Sequence, residues 1–296
     1  MIVLTEPQPD GSAHQLLAKG SSGKEEIEFL RRFYREPQIL SVQTDTKTRI
    51  EPSVDHARPM LFKNSGGCET SHEGIPDYCD VCARLVGECQ CVLRARLDKV
   101  GLRMPTGHFG IDMVEQSPGR VIDIARVIGI EAVFVPAIPK SERNKDARGW
   151  VEFGERLLRA GQPLLDAGLS FGWHNHAFEV VSVETGEVPL DLILSASEDL
   201  SMEVDLAWMV RGEADPLDWI GRLGPRIVAA HLKDIAPQGQ AADEDGWADL
   251  GHGTMDWPAL MAALRNTACR HFVIEHDNPS DDARFARRSI ETGRAL

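Results

Sequence analysis

From about residue 92 onward, short apolar runs alternate with longer segments whose apolar positions recur every three or four residues. RMPTGHFG (103–110) predicts a strand, and SPGRVIDIARVIG (117–129) a helix opened by Ser-Pro and closed by Gly129. AVFVPAI (132–138) is the next strand, stopped by Pro139. WVEFGERLLRAGQPLLDAG (150–168) is the next helix, which Pro163 should kink. A strand at 169–175, a helix near 189–199 and a strand at 201–207 follow. The pattern continues with a short helix over 215–225, a strand over 227–232 and a helix over 256–267 opened by Asp256. A strand over 271–276 and a helix over 282–293 complete it. Upstream, ECQCVLRARLDKVG predicts a helix, and ILSVQT (39–44) and YCDVCA (78–83) predict two further strands.

Strands alternating with helices imply a parallel sheet with crossover helices. The six downstream strands plus the two upstream ones bring the number to eight. Eight βα units close a barrel, so the expected fold class is α/β, a (β/α)8 TIM barrel. A doubly wound open sheet competes with it, but no G-x-G-x-x-G follows any early strand. The N-terminal region fits the first βα unit poorly. Residues 1–38 read as a polar extension with one helix in KEEIEFLRRFYRE, and 39–296 as a single barrel. Between the first two expected strands, Pro52, Pro59, Gly66, Gly67 and Pro76 disfavour the helix that a barrel needs there.

Four of the apolar strands share a polar ending. They are LSFGWHNH, SMEVDLAW, IVAAHLKD and HFVIEHD. Side chains at i and i+2 share one face of a strand. The pairs His174/His176, Glu203/Asp205, His231/Lys233 and Glu275/Asp277 all have that spacing. In a parallel barrel one face of each strand points at the axis, and the carboxyl ends form the catalytic rim. Imidazole and carboxylate donors from four strand ends therefore converge, as a divalent metal site requires. Mixed His nitrogen and carboxylate oxygen donors suit Mn²⁺, Co²⁺, Zn²⁺ or Fe²⁺, and carboxylate-rich sets lean toward Mn²⁺ or Mg²⁺. Mn²⁺ is the expected ion.

Composition narrows the partners. The net charge of −14, with no Lys/Arg stripe, argues against a nucleic-acid ligand. No apolar run approaches ~18 residues, so no membrane span is expected. MIVLTEPQPDG lacks a secretory pattern, which makes the cytoplasm the default compartment. Self-association into a homo-oligomer stays open. Cys68, Cys79, Cys82, Cys89 and Cys91 cluster, and CDVCARLVGECQC offers zinc-knuckle spacing. Alternation along YCDVCA puts Cys79 and Cys82 on opposite faces, which favours reduced, partly buried thiols. DLGHGTMDW (249–257) is the nearest approach to a phosphate-cradling loop and reads as a plain tight turn.

The segments GWHNHAFEV, MEVDLAWMVRGEADPLDWI, GPRIVAAHLKD, DLGHGTMDWPALMAAL and VIEHDNPSDDARFARRSIE resemble the sugar phosphate isomerase/epimerase family of the xylose isomerase-like barrel superfamily. The similarity covers roughly 78–296. It implies one divalent metal held at four strand ends, with Asp205, His231 and Glu275 on the last three. The first position is usually a Glu in a Glu-Asn-His motif, and here it is His174. By the same resemblance His176 lies beside the substrate and Lys233 is the active-site lysine of HLKD. His108, Trp208 and Glu179 are expected on the substrate side.

The implied chemistry is proton transfer next to a ketose carbonyl through an enediolate. Glu275 is the first candidate base, with Lys233 on the developing oxyanion. Epimerases that use two opposed glutamates lose one at His174, and Glu179, Glu203 or His176 are left to replace it. One carboxylate base with a histidine acid suits β-elimination, so a dehydratase of a keto-inositol or keto-sugar is the second reading. A non-catalytic sugar-binding barrel is the third. Endonuclease IV-like repair shares the superfamily but needs a multinuclear zinc cluster and a basic face.

Overall fold

The computed structural model describes residues 2–7, 13–18, 39–42, 78–79, 84–85 and 90–296. Strands β1 (Ile2–Pro7), β2 (Ala13–Ala18) and β3 (Ile39–Val42) come first, followed by β4 (Tyr78–Cys79) and β5 (Arg84–Leu85). Then come α1 (Gln90–Val100), β6 (Thr106–His108), α2 (Ile111–Gln116), α3 (Pro118–Ile128), β7 (Ala132–Val135) and α4 (Ala147–Asp166). The middle of the chain holds β8 (Ser170–His174), α5 (Pro189–Leu194), β9 (Ser201–Asp205), α6 (Leu206–Arg211) and α7 (Pro216–Leu223). The remainder is β10 (Ile227–Leu232), the short β11 (Asp234–Ile235) and β12 (Trp247–Ala248), α8 (Trp257–Leu264), β13 (His271–Ile274) and α9 (Asp282–Ala295).

Aspartates open several of these helices. The side chains of Asp146, Asp215, Asp256 and Asp281 accept backbone N–H bonds from the first turns of α4, α7, α8 and α9. Gly129 ends α3 in the left-handed conformation, at φ 86°, as its place after the last apolar position suggested. α4 runs on through Pro163 to Asp166. Proline removes a single N–H donor there, while Leu157, Ala160 and Leu164 stay buried on either side of it. Tertiary packing of the apolar face outweighs the lost bond.

The main sheet has the order β3-β1-β2-β13-β10-β9-β8-β7-β6. β6, β7, β8, β9, β10 and β13 are all parallel neighbours and curl as half a barrel with helices outside. β2 continues that sheet parallel to β13, whereas β1 runs antiparallel to both β2 and β3. This departs from two expectations. The strand within ILSVQT is an antiparallel neighbour of β1 rather than the first parallel strand, and residues 2–7 and 13–18 are strands rather than lead-in. Within YCDVCA the described strand is Tyr78–Cys79, in an antiparallel hairpin with β5 apart from the main sheet. Apolar composition marks a segment as strand-forming, but partner and direction come from the edge that is open to it. The whole Cys68–Cys91 cluster and the expected helix near 24–36 lie outside the residues whose side chains are described.

Two cores flank the parallel sheet. Val133 and Val135 of β7 join the large outer core under the helices, while Ala132 and Phe134 form a small inner cluster with Val228 and Ala229. That is period-two alternation. Outside, Trp173 of β8 meets Phe153 of α4 edge-on, with ring centroids 5.3 Å apart. Helix and sheet are in close contact, for a Cβ on Gly161 would lie 1.9 Å from the Phe171 ring. Among the described residues no helix is long and apolar enough to cross a membrane.

Candidate functional site

The inner face ends in a rim of titratable side chains. In register, His174 of β8 pairs with Glu203 of β9, and Asp205 of β9 with His231 of β10. Adjacent residues in a parallel ladder point to the same face, so these four are neighbours, and Lys233 follows two residues after His231. His174, Glu203, Asp205, His231, Lys233 and Glu275 are all buried. His108, at the end of β6, retains 24% side-chain exposure.

Two groups form, and they share His231. The first holds His108, His174, Glu203 and His231, whose ligand atoms all lie within 4.8 Å of one another. Glu203 Oε2 sits at its centre: His108 Nε2 contacts it, His231 Nε2 is 3.2 Å away and His174 Nδ1 3.4 Å away. The imidazoles crowd together, with the His174 and His231 ring centroids 4.4 Å apart. His174 Nδ1, His231 Nε2 and Glu203 Oε1 are buried and form no hydrogen bond. Burial, then the neighbouring His231, holds His174 well below the usual imidazole range. Burial pushes the Glu203 carboxyl up, but His108 and His231 outweigh it and hold it well below the carboxylate range.

The second group is Asp205, His231 and Glu275. Here His231 turns its other nitrogen: Nδ1 is 2.6 Å from Glu275 Oε2 and 3.7 Å from Asp205 Oδ2. Burial opposes protonation of His231, yet Glu275 and Glu203 on its two edges raise it to about 10. The carboxylates demand a cation between them, and a divalent ion can take the proton's place. The Lys233 ammonium lies in this group, 3.4 Å from Asp205, 3.3 Å from Glu275 and 2.8 Å from Asp277. Asp205 also anchors the strand end, since its Oδ1 accepts the Trp208 N–H and its backbone pairs with the Asn175 amide. Its pKa is raised by burial, against the pull of Lys233.

The expected quartet of His174, Asp205, His231 and Glu275 is thus distributed over the two edges of one imidazole. His174 falls with His108 and Glu203, two residues expected on other grounds. His176 is one layer out, with its ring 5.1 Å from that of His174 and 5.4 Å from Trp208; burial, then the Lys233 charge, lowers it to about 4. Glu179, expected on the substrate side, has its carboxylate engaged within the fold. Its carboxylate accepts the Trp173 indole N–H at 3.0 Å and the His176 backbone N–H at 2.9 Å, and it is wholly buried. Burial raises it to about 7. Its carboxylate is thereby tied to the His176 backbone.

Around the mouth, Trp208 meets Trp247 edge-on at 4.8 Å, with the Arg211 guanidinium 3.2 Å from the centre of the Trp247 ring. Sequence reasoning passed over Trp247 and Arg211. The only signal for Trp247 was an isolated tryptophan in a polar loop. Asp234 points the opposite way from Lys233 and makes no ion pair with it; its carboxylate accepts N–H bonds from Ile235, Gly251, Gly253 and Met255. Three amides of the DLGHGTMDW loop, those of Gly251, Gly253 and Met255, are therefore occupied by Asp234, as befits a tight turn.

Comparisons with known proteins agree with this architecture. No curated protein matches the chain. Among solved structures, a sugar phosphate isomerase/epimerase from Parabacteroides distasonis ATCC 8503 aligns with TM-score 0.60 and 19% identity, over 70% of this chain and 76% of that one. The probable 3-DHS dehydratase AsbF of Bacillus anthracis aligns with TM-score 0.54 and 14% identity, over 69% and 80%. An L-ribulose 3-epimerase aligns with TM-score 0.51 and 13% identity, over 74% and 81%. At such identities these likenesses speak for the fold alone. The family model of the xylose isomerase-like TIM barrel matches residues 118–296. With that model covering more than half of its length, and a buried His/Asp/Glu rim at the carboxyl ends of its parallel strands, the chain belongs to the xylose isomerase-like TIM barrel family.

Proposed function

We propose that the protein is a divalent-metal-dependent isomerase or epimerase of a keto-sugar or sugar phosphate, working through an enediolate. One observation carries the reading. Buried at the ends of adjacent parallel strands, His174 Nδ1, His231 Nε2 and Glu203 Oε1 have no hydrogen-bond partner, in a cluster of nitrogen and carboxylate donors. Leaving such atoms buried and unsatisfied is costly, and a cation between them removes the cost. The donors available around His231 are His174, Asp205 and Glu275, with His108 and Glu203 adjoining. When bound, a divalent ion supplies Lewis acidity to a ketose carbonyl and its neighbouring hydroxyl, acidifying the C–H between them.

The chain's own groups do the rest. Glu275, at the rim, accepts the carbon-bound proton. Lys233 donates a hydrogen bond to the oxygen on which charge develops. His176 is neutral near pH 7 and hydrogen-bonds a hydroxyl, beside the Trp208 ring that packs on the sugar's C–H face. Return of the proton by Glu275 to the adjacent carbon isomerises; epimerisation needs a second acid, His176, to deliver a proton to the opposite face of the same carbon while Glu275 keeps the one it took.

A second reading rests on the shortage of an opposed carboxylate. Glu203 is engaged by three imidazoles, and Glu179 by Trp173 and the His176 amide, which leaves His176, whose imidazole feels the Glu275 charge, as the remaining acid. That pairing suits loss of a β-hydroxyl from a keto-inositol or keto-sugar. A panel of both substrate types in deuterated water separates the two. Isomerisation or epimerisation incorporates solvent deuterium without water loss; dehydration builds an enone-type ultraviolet chromophore. Absence of bound divalent metal, with no turnover of any panel member, refutes both and leaves the non-catalytic barrel.

A further inference from the structure

Resting on the reading of the site as one for keto-sugars, we propose that the substrate carries a carboxylate remote from its carbonyl, and that the Arg143 guanidinium receives it. Arg143 follows the turn Lys140–Glu142 and precedes α4, in the loop that leaves the carboxyl end of β7. Loops at that end of the parallel strands form the mouth of the site. The side chain is held at two points. Its Nε–H donates to the carbonyl of Ile138 at 3.0 Å, and Ile138 is itself buried in the core. Its guanidinium carbon stands 4.2 Å from the centre of the Phe178 ring. A flexible side chain is thereby fixed, while Nη1 and Nη2 have no acceptor among the described residues.

Phe178 connects this guanidinium with the reacting end. Its ring stacks with that of His176 at 6.3 Å, His176 lies 5.4 Å from Trp208, and the Lys233 ammonium is 5.2 Å from the Trp208 ring. The row thus runs from Lys233, at the developing oxyanion, to Arg143 at the far end. His176 and Glu179 both feel the Arg143 charge, and the side chain is half-buried. Nearby carboxylates are engaged elsewhere. Glu142 pairs with Arg156, Asp146 caps α4, and Glu179 accepts from Trp173 and the His176 amide. On a chain of net charge −14, Arg156, Arg226 and Arg284 each hold a carboxylate within 2.9 Å, and Arg143 has no such partner among the described residues. A fixed, half-buried guanidinium gains strongly from an anion that the ligand brings.

The donors select the anion. Two N–H groups side by side in one plane match the two oxygens of a carboxylate. A phosphate is better served by a nest of backbone amides or by several cations. The other donors around the mouth are engaged. Asp234 takes the amides of Gly251, Gly253 and Met255, and three carboxylates surround Lys233. Arg211 donates to the Asp245 carbonyl and lies on the Trp247 ring. The substrate class is therefore a keto-sugar acid, with the carbonyl at one end and the carboxylate at the other, and Arg143 sets the specificity.

Calorimetric binding to the full-length protein loaded with Mn²⁺ tests this with D-fructuronate and D-tagaturonate, the neutral ketoses D-fructose and D-tagatose, and both ketoses carrying a terminal phosphate. One of the acids should bind at least about tenfold more tightly than its neutral counterpart, the scale of a charge-assisted pair. Arg143→Gln should reduce that preference by at least about tenfold. Arg143→Lys keeps the charge, loses the fork and should restore only part of it. A merely structural Arg143 would weaken acid and neutral sugar alike and leave the preference intact, which overturns the proposal. Tighter binding of a phosphorylated ketose than of either acid overturns it too. Turnover in deuterated water separates this proposal from the reading on which it rests. Deuterium incorporation into neutral ketoses, with no preference for the acids, overturns the carboxylate subsite and leaves the isomerase. An Arg143-dependent preference for an acid, with no turnover of any of the six, supports the subsite and overturns the catalytic reading. If none of the six binds, both fall.

Discussion

Replacing Lys233 with methionine removes a buried charge while keeping most of the side chain's volume. The ammonium is 0% exposed and lies 2.8–3.4 Å from Asp277, Glu275 and Asp205, of which Asp205 is also 0% exposed and Glu275 7%. Burial alone would lower its pKa, yet Glu275, Asp205 and Asp277 together raise it above the ordinary lysine value. Removing one partner from a buried ion pair costs about 3–5 kcal/mol, and with three carboxylates stranded the upper half of that range applies. Against a typical total stability of about 5–15 kcal/mol, this is a large fraction. For a domain of this size each kcal/mol moves Tm by about 2–4 °C, so a drop of about 10–15 °C is expected at pH 7.5. The loss should shrink at pH 5. Carboxylates without their cation titrate at higher pH when folded than when unfolded, so their penalty grows as pH rises. Urea unfolding followed by circular dichroism at both pH values measures it. A loss under about 1 kcal/mol, the scale of an exposed pair, and equal at pH 5 and 7.5, would refute the compensating role. Asp277→Asn, at a side chain one-third exposed, should cost no more than about 1 kcal/mol.

Three further outcomes follow from the geometry. Arg284 holds Glu244 at 2.9 Å and Asp249 at 3.0 Å, and its hydrogen bonds, against burial, depress Glu244 to about 2. A depressed carboxylate stabilises above its unfolded pKa, so Arg284→Ala should lower the urea midpoint at pH 7 and lose most of that effect by pH 2. Burial raises Glu179 to about 7, so its ionisation destabilises the fold increasingly between the ordinary carboxylate pKa and that value. The stability deficit of Glu179→Gln should therefore narrow from pH 5 to pH 8, and kcat should fall more than KM rises as His176 loosens. Asp234→Ala leaves the N–H groups of Ile235, Gly251, Gly253 and Met255 without their acceptor. Stability should fall by about 2–3 kcal/mol, with amide exchange accelerated across 249–255; unchanged exchange there would show that Asp234 does not organise the loop.

What could be read from the sequence was whatever depends on near neighbours. The period of the apolar positions located β6, β7, β8, β9, β10 and β13 and the helices α3, α4, α5, α7, α8 and α9 to within a few residues, but not the short β11, β12, α2 and α6. Alternation put Glu203 with Asp205, and His231 with Lys233, on one face. It did not foresee the Lys233/Asp234 split in partners, although opposite faces follow from the same rule. The prolines and glycines of residues 52–76 warned that the first barrel unit is unusual, without indicating that β1 and β2 would extend the sheet.

Strand identity and the sharing of a face were properties of the sequence by itself, because side-chain direction repeats every two residues whatever the strand packs against. The tertiary structure alone decided which strand lies beside which, and which edge of His231 meets which carboxylate. It also decided that His108, 66 positions before His174 in the chain, completes its group. Those outcomes depend on register, sheet curvature and ring orientation, which arise from contacts between residues far apart in sequence. The same contacts gather Lys233 among Asp205, Glu275 and Asp277, and His108 with the donors around Glu203.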